Sequence, residues 1–353
     1  MSCLYEGKKC EINFDLPVVQ KFPFISVIII AHDRREYLIT SIQSALKQTL
    51  SKEAYEVIVV KNFSDPAIDS YIGRNGILSI LTNETAIGSK ISLALSKSSG
   101  RIISFLEDDD AFEENKLEVI YSKFNEDPGL MYLHNSFITV DTKGSMISRI
   151  PVFMRVSKGV DRTLDLKADS FGCMNKVYKF GIHFNLSSIS IRKDAIDSSL
   201  LVGRYNLDIM FFYLIGSSFG IVGYTSLILT RYRVHQSASK VITDDMEFFL
   251  ESKIEFYRLL LGSLSYIYDI IKGKLISDYC CCDMTEQELI LGILGSNNGR
   301  RDLLIKIQRT FRCLSLYKGR KFVYSIVLAL LGVISLISSK VPVIMLYIIS
   351  KTT

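Results

Sequence analysis

The chain has 353 residues, which is enough for one large domain with an appendage or for two domains, and it can bury a sizeable core. Its formal net charge of +5 is too small to indicate a nucleic-acid partner. A mean hydropathy of +0.24 is high for a soluble protein, and the apolar excess lies at the C-terminal end, which indicates that this part of the chain contacts lipid.

Cysteine usage and the N-terminus exclude further classes. The seven cysteines are odd in number, and Cys280, Cys281 and Cys282 are adjacent. Because there is no C-x-x-C pair, the sequence indicates neither a disulfide framework nor a zinc site, and a reducing cytoplasm is the expected compartment. Residues 1–23 form an N-terminal extension without the long apolar stretch of a signal peptide, so they do not predict export.

The first third of the chain predicts alternating strands and helices. The runs "ISVIIIA", "YEVIVV", "ILSILTN" and "RIISFL" are short and apolar, as in strands buried on both faces of a sheet. Between them, Leu38, Ile42 and Ala45 have helical spacing, "PAIDSYIGR" predicts a short helix, and "GSKISLALSKSSG" predicts a helix that ends at Gly100. This order predicts a doubly wound, mostly parallel α/β sheet.

Polar segments follow three of these predicted strands. They are "HDRR" (32–35), "KNFSD" (61–65) and "EDDD" (107–110), and ligands of such sheets bind beyond the carboxyl ends of the strands. Adjacent carboxylates repel one another, and a hard cation such as Mg²⁺ or Mn²⁺ resolves the conflict by binding one or two of them with substrate phosphates. For the last carboxylates an alternative stays open, namely a helix N-terminus where acids favour the helix dipole.

The order of these segments carries a resemblance to a known family. The pieces "SVIIIAHDRR", "SIQSALKQTL", "YEVIVVKNFSD" and "GSKISLALSKSSGRIISFLEDDDAFEENKLE" resemble the family-2 glycosyltransferases. The segment "YNLDIMFFYLIGSSFGIVGYTSLILTRYRVHQSAS" looks like the acceptor-side region of the same family. The resemblance implies a GT-A catalytic domain over residues 24–240 that binds a nucleotide-sugar donor, either a UDP- or a GDP-sugar.

The resemblance also implies metal-binding and catalytic residues. The family's D-x-D motif binds a divalent cation, Mn²⁺ or Mg²⁺, and here Glu107 stands at its first acidic position and Asp109 at its second. Because Glu reaches further than Asp, Glu107 binds the metal, the ribose or a metal-bound water. Asp110 and His235 complete the candidate metal ligands. Asp208 matches the general base of inverting transfer, with a charge at a helix N-terminus as the alternative.

Further residues match the donor-binding positions of the family. At the first strand end, His32 stands where the family has a stacking tyrosine, and Lys61 occupies the place of a base-binding aspartate. Lys90 stands in for a family arginine as a point charge. The complete set of candidate donor contacts is Ala31, His32, Asp33, Arg34, Asn62, Lys90, Asp108, Arg231 and Arg233.

The C-terminal third predicts helices and a membrane contact. Residues 241–299 read as a helical region packing on the catalytic domain, and residues 300–321 as a basic amphipathic interfacial helix with eight basic residues and one acidic residue. Residues 322–350 are one or more hydrophobic membrane segments, either a single span or a shallow hairpin bent near Lys340 and Pro342. The alternative is a buried soluble helix pair. The basic flank predicts a catalytic domain on the cytoplasmic side of the cell membrane.

Together these features predict a membrane-associated, metal-dependent inverting glycosyltransferase that acts on a lipid-linked or surface-glycan acceptor and binds membrane lipid but no nucleic acid. One alternative is a catalytically decayed GT-A membrane scaffold, which the substitutions at Glu107 and Lys61 keep open. A nucleotidyltransferase is disfavoured because "AHDRREY" contains no glycine for a phosphate-binding loop.

Overall fold

The structure, a computed structural model, describes residues 23–147, 161–235, 243–295, 299–338 and 340–352. Nearly all of the predicted N-terminal extension lies outside these ranges. The strands are β1 (Ile25–Ile30), β2 (Tyr55–Lys61), β3 (Leu78–Leu81), β4 (Ile102–Glu107), β5 (Ala111–Phe112), β6 (Tyr132–Val140), β7 (Arg162–Asp165), β8 (Ile189–Arg192) and β9 (Ile221–Arg233). The helices are α1 (Leu38–Leu46), α2 (Pro66–Arg74), α3 (Ile87–Lys97), α4 (Lys116–Glu126), α5 (Ser170–Phe180), α6 (Leu207–Phe219), α7 (Met246–Ile271), α8 (Ser277–Leu294), α9 (Arg300–Cys313), α10 (Gly319–Ile337) and α11 (Lys340–Thr352).

The described strands form one mixed sheet in the order β3-β2-β1-β4-β8-β6-β9-β5, and β7 pairs with β9. The first four strands in this order are parallel, as the sequence predicts. The antiparallel strand β8 lies between β4 and β6, and β9 runs parallel to β6. The predicted α/β class with a mostly parallel sheet and C-terminal helices is therefore confirmed.

Local sequence explains why the first elements form. Every residue of β1 is buried, which fits a β-branched run between two helical layers. Helix α2 begins at Pro66, where a missing N–H costs nothing, and the Asp65 carboxylate accepts hydrogen bonds from the N–H groups of Ala67 and Ile68. Helix α3 ends at Lys97, three residues before Gly100, where the sequence predicts its end. Gly100 instead lets the chain pass close to the backbone of β1, because a Cβ at this position would lie 2.4 Å from the Ser26 nitrogen.

Helices cover both faces of the sheet. Helices α1, α2 and α4 pack on one face, while α3, α5 and α6 pack on the other. Helices α7 and α8 extend this second core, since Leu264 and Ile267 of α7 belong to the same buried cluster as Phe211 of α6. A separate apolar cluster joins α8, α9 and α10, with partly buried residues of α7 and α11 packed against it.

The cysteine expectation is wrong for one pair. Cys282 of α8 and Cys313 at the end of α9 form a disulfide with an S–S distance of 2.13 Å. These residues are 31 positions apart in the sequence, and only the side-by-side packing of α8 and α9 brings them together. Cys280 and Cys281 remain free thiols.

The C-terminal helices break at different places from the sequence prediction. Helix α9 ends at Cys313, and α10 begins at Gly319, so Lys321 lies inside the apolar helix. Helices α10 and α11 are separate. Among the described residues, α10 is the one helix that is long and apolar enough to cross a membrane by length and composition.

Candidate active site

The carboxyl ends of β1 and β2 are joined by polar contacts. The Asn62 side chain donates to Asp33 Oδ1 at 2.7 Å and accepts from the Asp33 N–H at 2.8 Å. Asp33 itself has φ +59°, a left-handed conformation that aspartate tolerates better than most residues. This pairing fixes the two loops that follow the strands, and the Asp33 side chain remains largely exposed.

The "EDDD" segment lies next to these loops and is held by its main chain. Ser41 Oγ donates to the carbonyl oxygens of Asp108 at 2.9 Å and Asp110 at 2.6 Å. Arg233 Nε donates to the Asp109 carbonyl at 2.8 Å, and the Arg233 N–H donates to Asp110 Oδ1 at 2.8 Å. Arg233 Nη1 is bound to the carbonyls of Asp141 and Thr142, so the guanidinium positions this loop.

Asp109 contacts one predicted donor-site residue, Arg34, and one predicted metal ligand, His235. Its Oδ2 lies 2.7 Å from His235 Nε2 and forms an ion pair with Arg34, whose Nη1 is also 3.5 Å from Asp108 Oδ1. Burial raises the pKa of Asp109, but the hydrogen bond from His235 and the charge of Arg34 outweigh it, so the pKa lies below its usual range. Burial raises the pKa of Asp108 to about 7.

Asp109 and His235 fit a divalent cation. A carboxylate oxygen and an imidazole nitrogen, both ligand types of Mn²⁺, lie 2.7 Å apart there. Arg34 Nη1 lies 2.9 Å from the same His235 nitrogen, so a bound cation would replace the His235–Asp109 hydrogen bond and the Arg34 guanidinium. The described ranges contain no ready-made group of three or more His, Cys, Asp or Glu side chains for a metal, so substrate phosphates and water would complete such a site. Asp110 is almost fully buried behind it.

Lys90 is fully buried beside the end of β1. Its Nζ donates to the Ala31 carbonyl at 2.9 Å and lies 2.8 Å from His32 Nδ1. Because the ammonium donates, this imidazole nitrogen accepts, and the His32 ring is neutral with its proton on Nε2. Burial and the nearby Lys90 charge lower the pKa of His32, while burial lowers that of Lys90. Lys90 therefore orients His32.

Asp208 lies in the first turn of α6, close enough to Glu107 for its charge to act on it. Its Oδ2 accepts from the Asn185 N–H at 3.1 Å and its Oδ1 from the Ile209 N–H at 2.9 Å. Burial raises the pKa of Asp208. Burial also raises the pKa of Glu107 well above its usual range, and the charges of Asp109, Asp110 and Asp208 add to this effect. Two carboxyl groups with raised proton affinity thus share one side of the site.

Two residues discussed at the sequence level lie elsewhere. Arg231 is exposed and forms an ion pair with Glu113, with Nε 2.7 Å from Oε1. Its guanidinium is therefore directed to Glu113 and not to the "EDDD" carboxylates. Lys61 is buried, and its Nζ lies 2.7 Å from Asp69 Oδ1 of α2. The Lys61 charge is therefore neutralised within the protein.

Sequence reasoning missed several supporting residues. Ser187 Oγ accepts from the Glu107 N–H at 3.0 Å, and the buried Lys116 binds the Ser187 carbonyl and Thr230 Oγ1. Tyr232 lies near the carboxylates, since burial and the charges of Asp110 and Glu107 raise its pKa. Only its position between Arg231 and Arg233 in "RYRVH" could have indicated Tyr232, and Ser41, Ser187 and Lys116 carry no local signal.

Comparison with known proteins finds similarity to one family over part of the chain. The family description "Glycosyl transferase family 2" matches residues 26–184. The structure is similar to that of S. aureus TarS, with a TM-score of 0.55 and 14% identity over 88% of this chain and 54% of TarS. A TarS 1-349 complex with UDP-GlcNAc aligns at a TM-score of 0.50 and 14% identity, covering 88% of this chain and 90% of that one. Residues 26–184 are therefore similar to the family-2 glycosyltransferases, and the fold is of the GT-A type.

Curated relatives match a little over a third of the chain. An uncharacterized glycosyltransferase of Rickettsia bellii is 35% identical over 130 residues, which is 36% of this chain and 18% of the relative. The chondroitin synthase of Escherichia coli is 25% identical over 135 residues, 37% of this chain and 19% of that enzyme. The matched part of the chain thus spans about a fifth of the length of these relatives.

Proposed function

We propose that the protein is a membrane-associated inverting glycosyltransferase that moves a sugar from a nucleotide-sugar donor to a lipid-linked or surface-glycan acceptor. The observation that carries the proposal is the proximity of Asp208 to the "EDDD" segment at the end of β4. Asn185 binds Asp208, Ser187 two residues later binds the Glu107 N–H, and the Asp208 charge contributes to the raised pKa of Glu107. A metal-binding group and a general base near one another are what a single displacement requires.

A nucleoside diphosphate sugar is the proposed donor. The TarS complex with UDP-GlcNAc shows that a protein of this fold binds such a molecule, and this supports the same class here. Asp109 and His235 would hold the cation, which when bound neutralises charge on the leaving diphosphate. Arg34, already in contact with Asp108 and Asp109, offers guanidinium donors to phosphate oxygens on the same side.

Asp208 is the proposed general base. It takes the proton of the acceptor hydroxyl at one of its carboxylate oxygens while that hydroxyl attacks the anomeric carbon. Burial raises its pKa, which makes the ionised carboxylate a stronger base than an exposed aspartate. The N–H groups of Asn185 and Ile209 fix the orientation of both oxygens. Attack from the face opposite the leaving group inverts the configuration.

The acceptor side is proposed to face the cytoplasmic surface of the cell membrane, because basic residues precede the apolar helix. The Cys282–Cys313 disulfide opposes this orientation, since disulfides are rare in reducing compartments. The oxidation state of these two cysteines in protein isolated under acid quench, measured by alkylation and mass, distinguishes the two sides. Reduced thiols support the cytoplasmic side, and a quantitative disulfide contradicts it.

The activity is tested by nucleoside diphosphate release. Purified protein is incubated with UDP- and GDP-sugars, Mn²⁺ or Mg²⁺ and a lipid extract, and the diphosphate and glycosylated product are quantified. Metal-dependent release together with an inverted product anomer supports the proposal. A protein that binds the donor with metal-dependent heat yet gives no product with any donor is not this enzyme, and a protein without such heat is a decayed scaffold.

A further inference from the structure

Helix α10 presents a continuous apolar surface. Between residues 322 and 337 there is no charged residue, and all the exposed side chains are apolar or aromatic. Three exposed apolar residues of α11 follow them. We call this set the docking face: Phe322, Val323, Tyr324, Val327, Leu330, Val333, Ile337, Val341, Ile344 and Met345. Exposed apolar surface of this extent indicates an interaction site.

The opposite side of α10 is fixed to the protein. Lys321 Nζ lies 2.8 Å from Asp283 Oδ1 and 2.6 Å from Glu286 Oε2 of α8, and Ser325 also binds Glu286. The side chains of Asp283 and Glu286 are only 6% and 0% exposed. If α10 left α8 to cross a bilayer, two buried carboxylates would lose their counter-charge, which is strongly unfavourable.

Close packing further along α10 also holds this helix against α8 and α9. A Cβ on Gly332 would lie 2.8 Å from Ile307 Cγ1 of α9 and 3.0 Å from Leu289 Cδ1 of α8. Leu328 and Leu331 are buried in the same cluster. Because this packing extends along most of the helix, α10 presents only one side to its surroundings. A spanning helix without such partners would present all sides to lipid.

Helix α11 does not continue α10 outward. Tyr347 Oη donates to the Thr243 carbonyl at 3.0 Å, and its ring lies 5.0 Å from the Phe249 ring at the start of α7. The second apolar segment therefore returns to the protein, and the apolar length needed for one span through both helices is not available.

The charges at the ends of α10 indicate what covers the docking face. Lys318 and Arg320 are exposed at its start, and Lys340 is exposed just beyond its end. An apolar stripe with cationic side chains at both ends matches an anionic lipid surface, because the long side chains reach headgroups while the apolar residues enter the acyl boundary. A second protein surface would have to bury these charges.

We propose that the docking face lies flat in the headgroup region of an anionic bilayer, so that the protein is a monotopic membrane protein and α10 does not cross the membrane. The inference rests on the membrane association proposed above and specifies its geometry. Because α10 is attached to the catalytic domain through α8, this orientation also holds the active site at a fixed height above the lipid surface.

The absence of tryptophan from the sequence makes a depth measurement direct. Single tryptophans are introduced by Val323→Trp, Leu330→Trp and Ile337→Trp, and their fluorescence is quenched by vesicles of phosphatidylcholine and phosphatidylglycerol with bromine at different acyl positions. The 19 residues of α10 extend about 28 Å. A flat helix gives three equal, shallow depths. A crossing helix places residue 330 near the bilayer centre and the other two near opposite surfaces, which would overturn the proposal.

A binding experiment tests the occupant. Val327→Glu combined with Leu330→Glu should lower the vesicle-bound fraction by about tenfold, because two carboxylates then face the acyl boundary. The matched control is Leu227→Glu on β9, since Leu227 is 46% exposed, close to the 43% of Val327. If the full chain instead forms a dimer that the double substitution dissociates, and does not bind vesicles, the lipid proposal is wrong.

Failure of this inference is separable from failure of the proposed function. Nucleoside diphosphate release is measured on the wild-type protein and on the variants with a donor and a detergent-solubilised acceptor. Release by a wild-type protein that does not bind vesicles refutes the docking face alone, whereas vesicle binding by a wild-type protein that releases no diphosphate refutes glycosyl transfer alone.

Discussion

Replacement of Asp208 by Asn tests the general base directly. The amide keeps the size of the side chain but cannot take the acceptor proton. A positioned general base contributes about a hundredfold to ten-thousandfold, which corresponds to about 2.7 to 5.5 kcal/mol of transition-state stabilisation. We expect kcat to fall within this range. Donor affinity with Mn²⁺ should change little, because Asp208 is bound by the N–H groups of Asn185 and Ile209, whereas Asp109 contacts His235 and Arg34.

The structure also predicts a cost in stability. Both oxygens of Asp208 accept main-chain N–H groups, from Asn185 and Ile209, and the amide NH₂ of Asn must face one of them. An unsatisfied buried donor costs about 1–3 kcal/mol. The control is Asp245→Asn at the N-cap of α7, where one exposed oxygen, Oδ1, accepts from both the Glu247 and Phe248 N–H groups. Because Asn caps a helix about as well as Asp, this change should leave both stability and kcat nearly unchanged.

The assay combines three measurements on the variant and the control. Calorimetry gives donor affinity, urea unfolding gives stability, and single-turnover release of nucleoside diphosphate gives the chemical step. Because burial raises the pKa of Asp208, the acid limb of kcat/KM in the wild type should lie above the range of an ordinary aspartate, with activity lost as the pH falls through it. Near-normal turnover of a folded Asp208→Asn protein would refute the assignment.

Three further predictions concern single residues. Asp109→Ala should abolish the Mn²⁺ dependence of donor binding in calorimetry, and unchanged affinity would exclude Asp109 as a ligand. Lys321→Met should lower the free energy of unfolding by about 3–5 kcal/mol, whereas Lys306→Met, whose partner Asp302 is half exposed, should cost less than about 1 kcal/mol in the same urea titration. Burial lowers the pKa of His134 to about 3. Its neutral form therefore stabilises the fold fully above the unfolded pKa of about 6.5 and less as the pH falls, with a loss of about 2 kcal/mol at pH 5. His134→Gln, which can still donate to the Phe184 carbonyl, should remove that part of the pH dependence.

The part of the fold that the sequence predicts is the type and order of the first strands and helices. Strands β1, β2 and β4 are apolar runs separated by helical periodicity, so neighbouring residues determine both their type and their order. The pairing of β6 with β9 joins segments about ninety residues apart, such as Tyr132 with Val222, and no short pattern encodes it. The disulfide was missed for the same reason, because it depends on how α8 packs against α9.

The candidate site divides in the same way. Glu107 and Asp109 could be selected because acidic residues directly after a buried strand suit metal binding, whereas Asp208 was selected by its match to the family's general base. The function of Arg233 could not be predicted, since its guanidinium binds main-chain carbonyls that have no sequence signature. The Lys61–Asp69 ion pair was also missed, because the family comparison showed only that Lys61 stands in the place of a base-binding aspartate and not that Asp69 of α2 binds it.

The "EDDD" loop is held mainly through its backbone. Ser41 and Arg233 donate hydrogen bonds to the main-chain carbonyl oxygens of residues 108, 109 and 110, and every amino acid has such an oxygen. The path of the loop is thus largely independent of the side chains it displays. Substitutions at 107 or 109 can alter reach and ion preference while the backbone stays in place, so a library at these two positions would sample new cation and sugar selectivities on an unchanged frame.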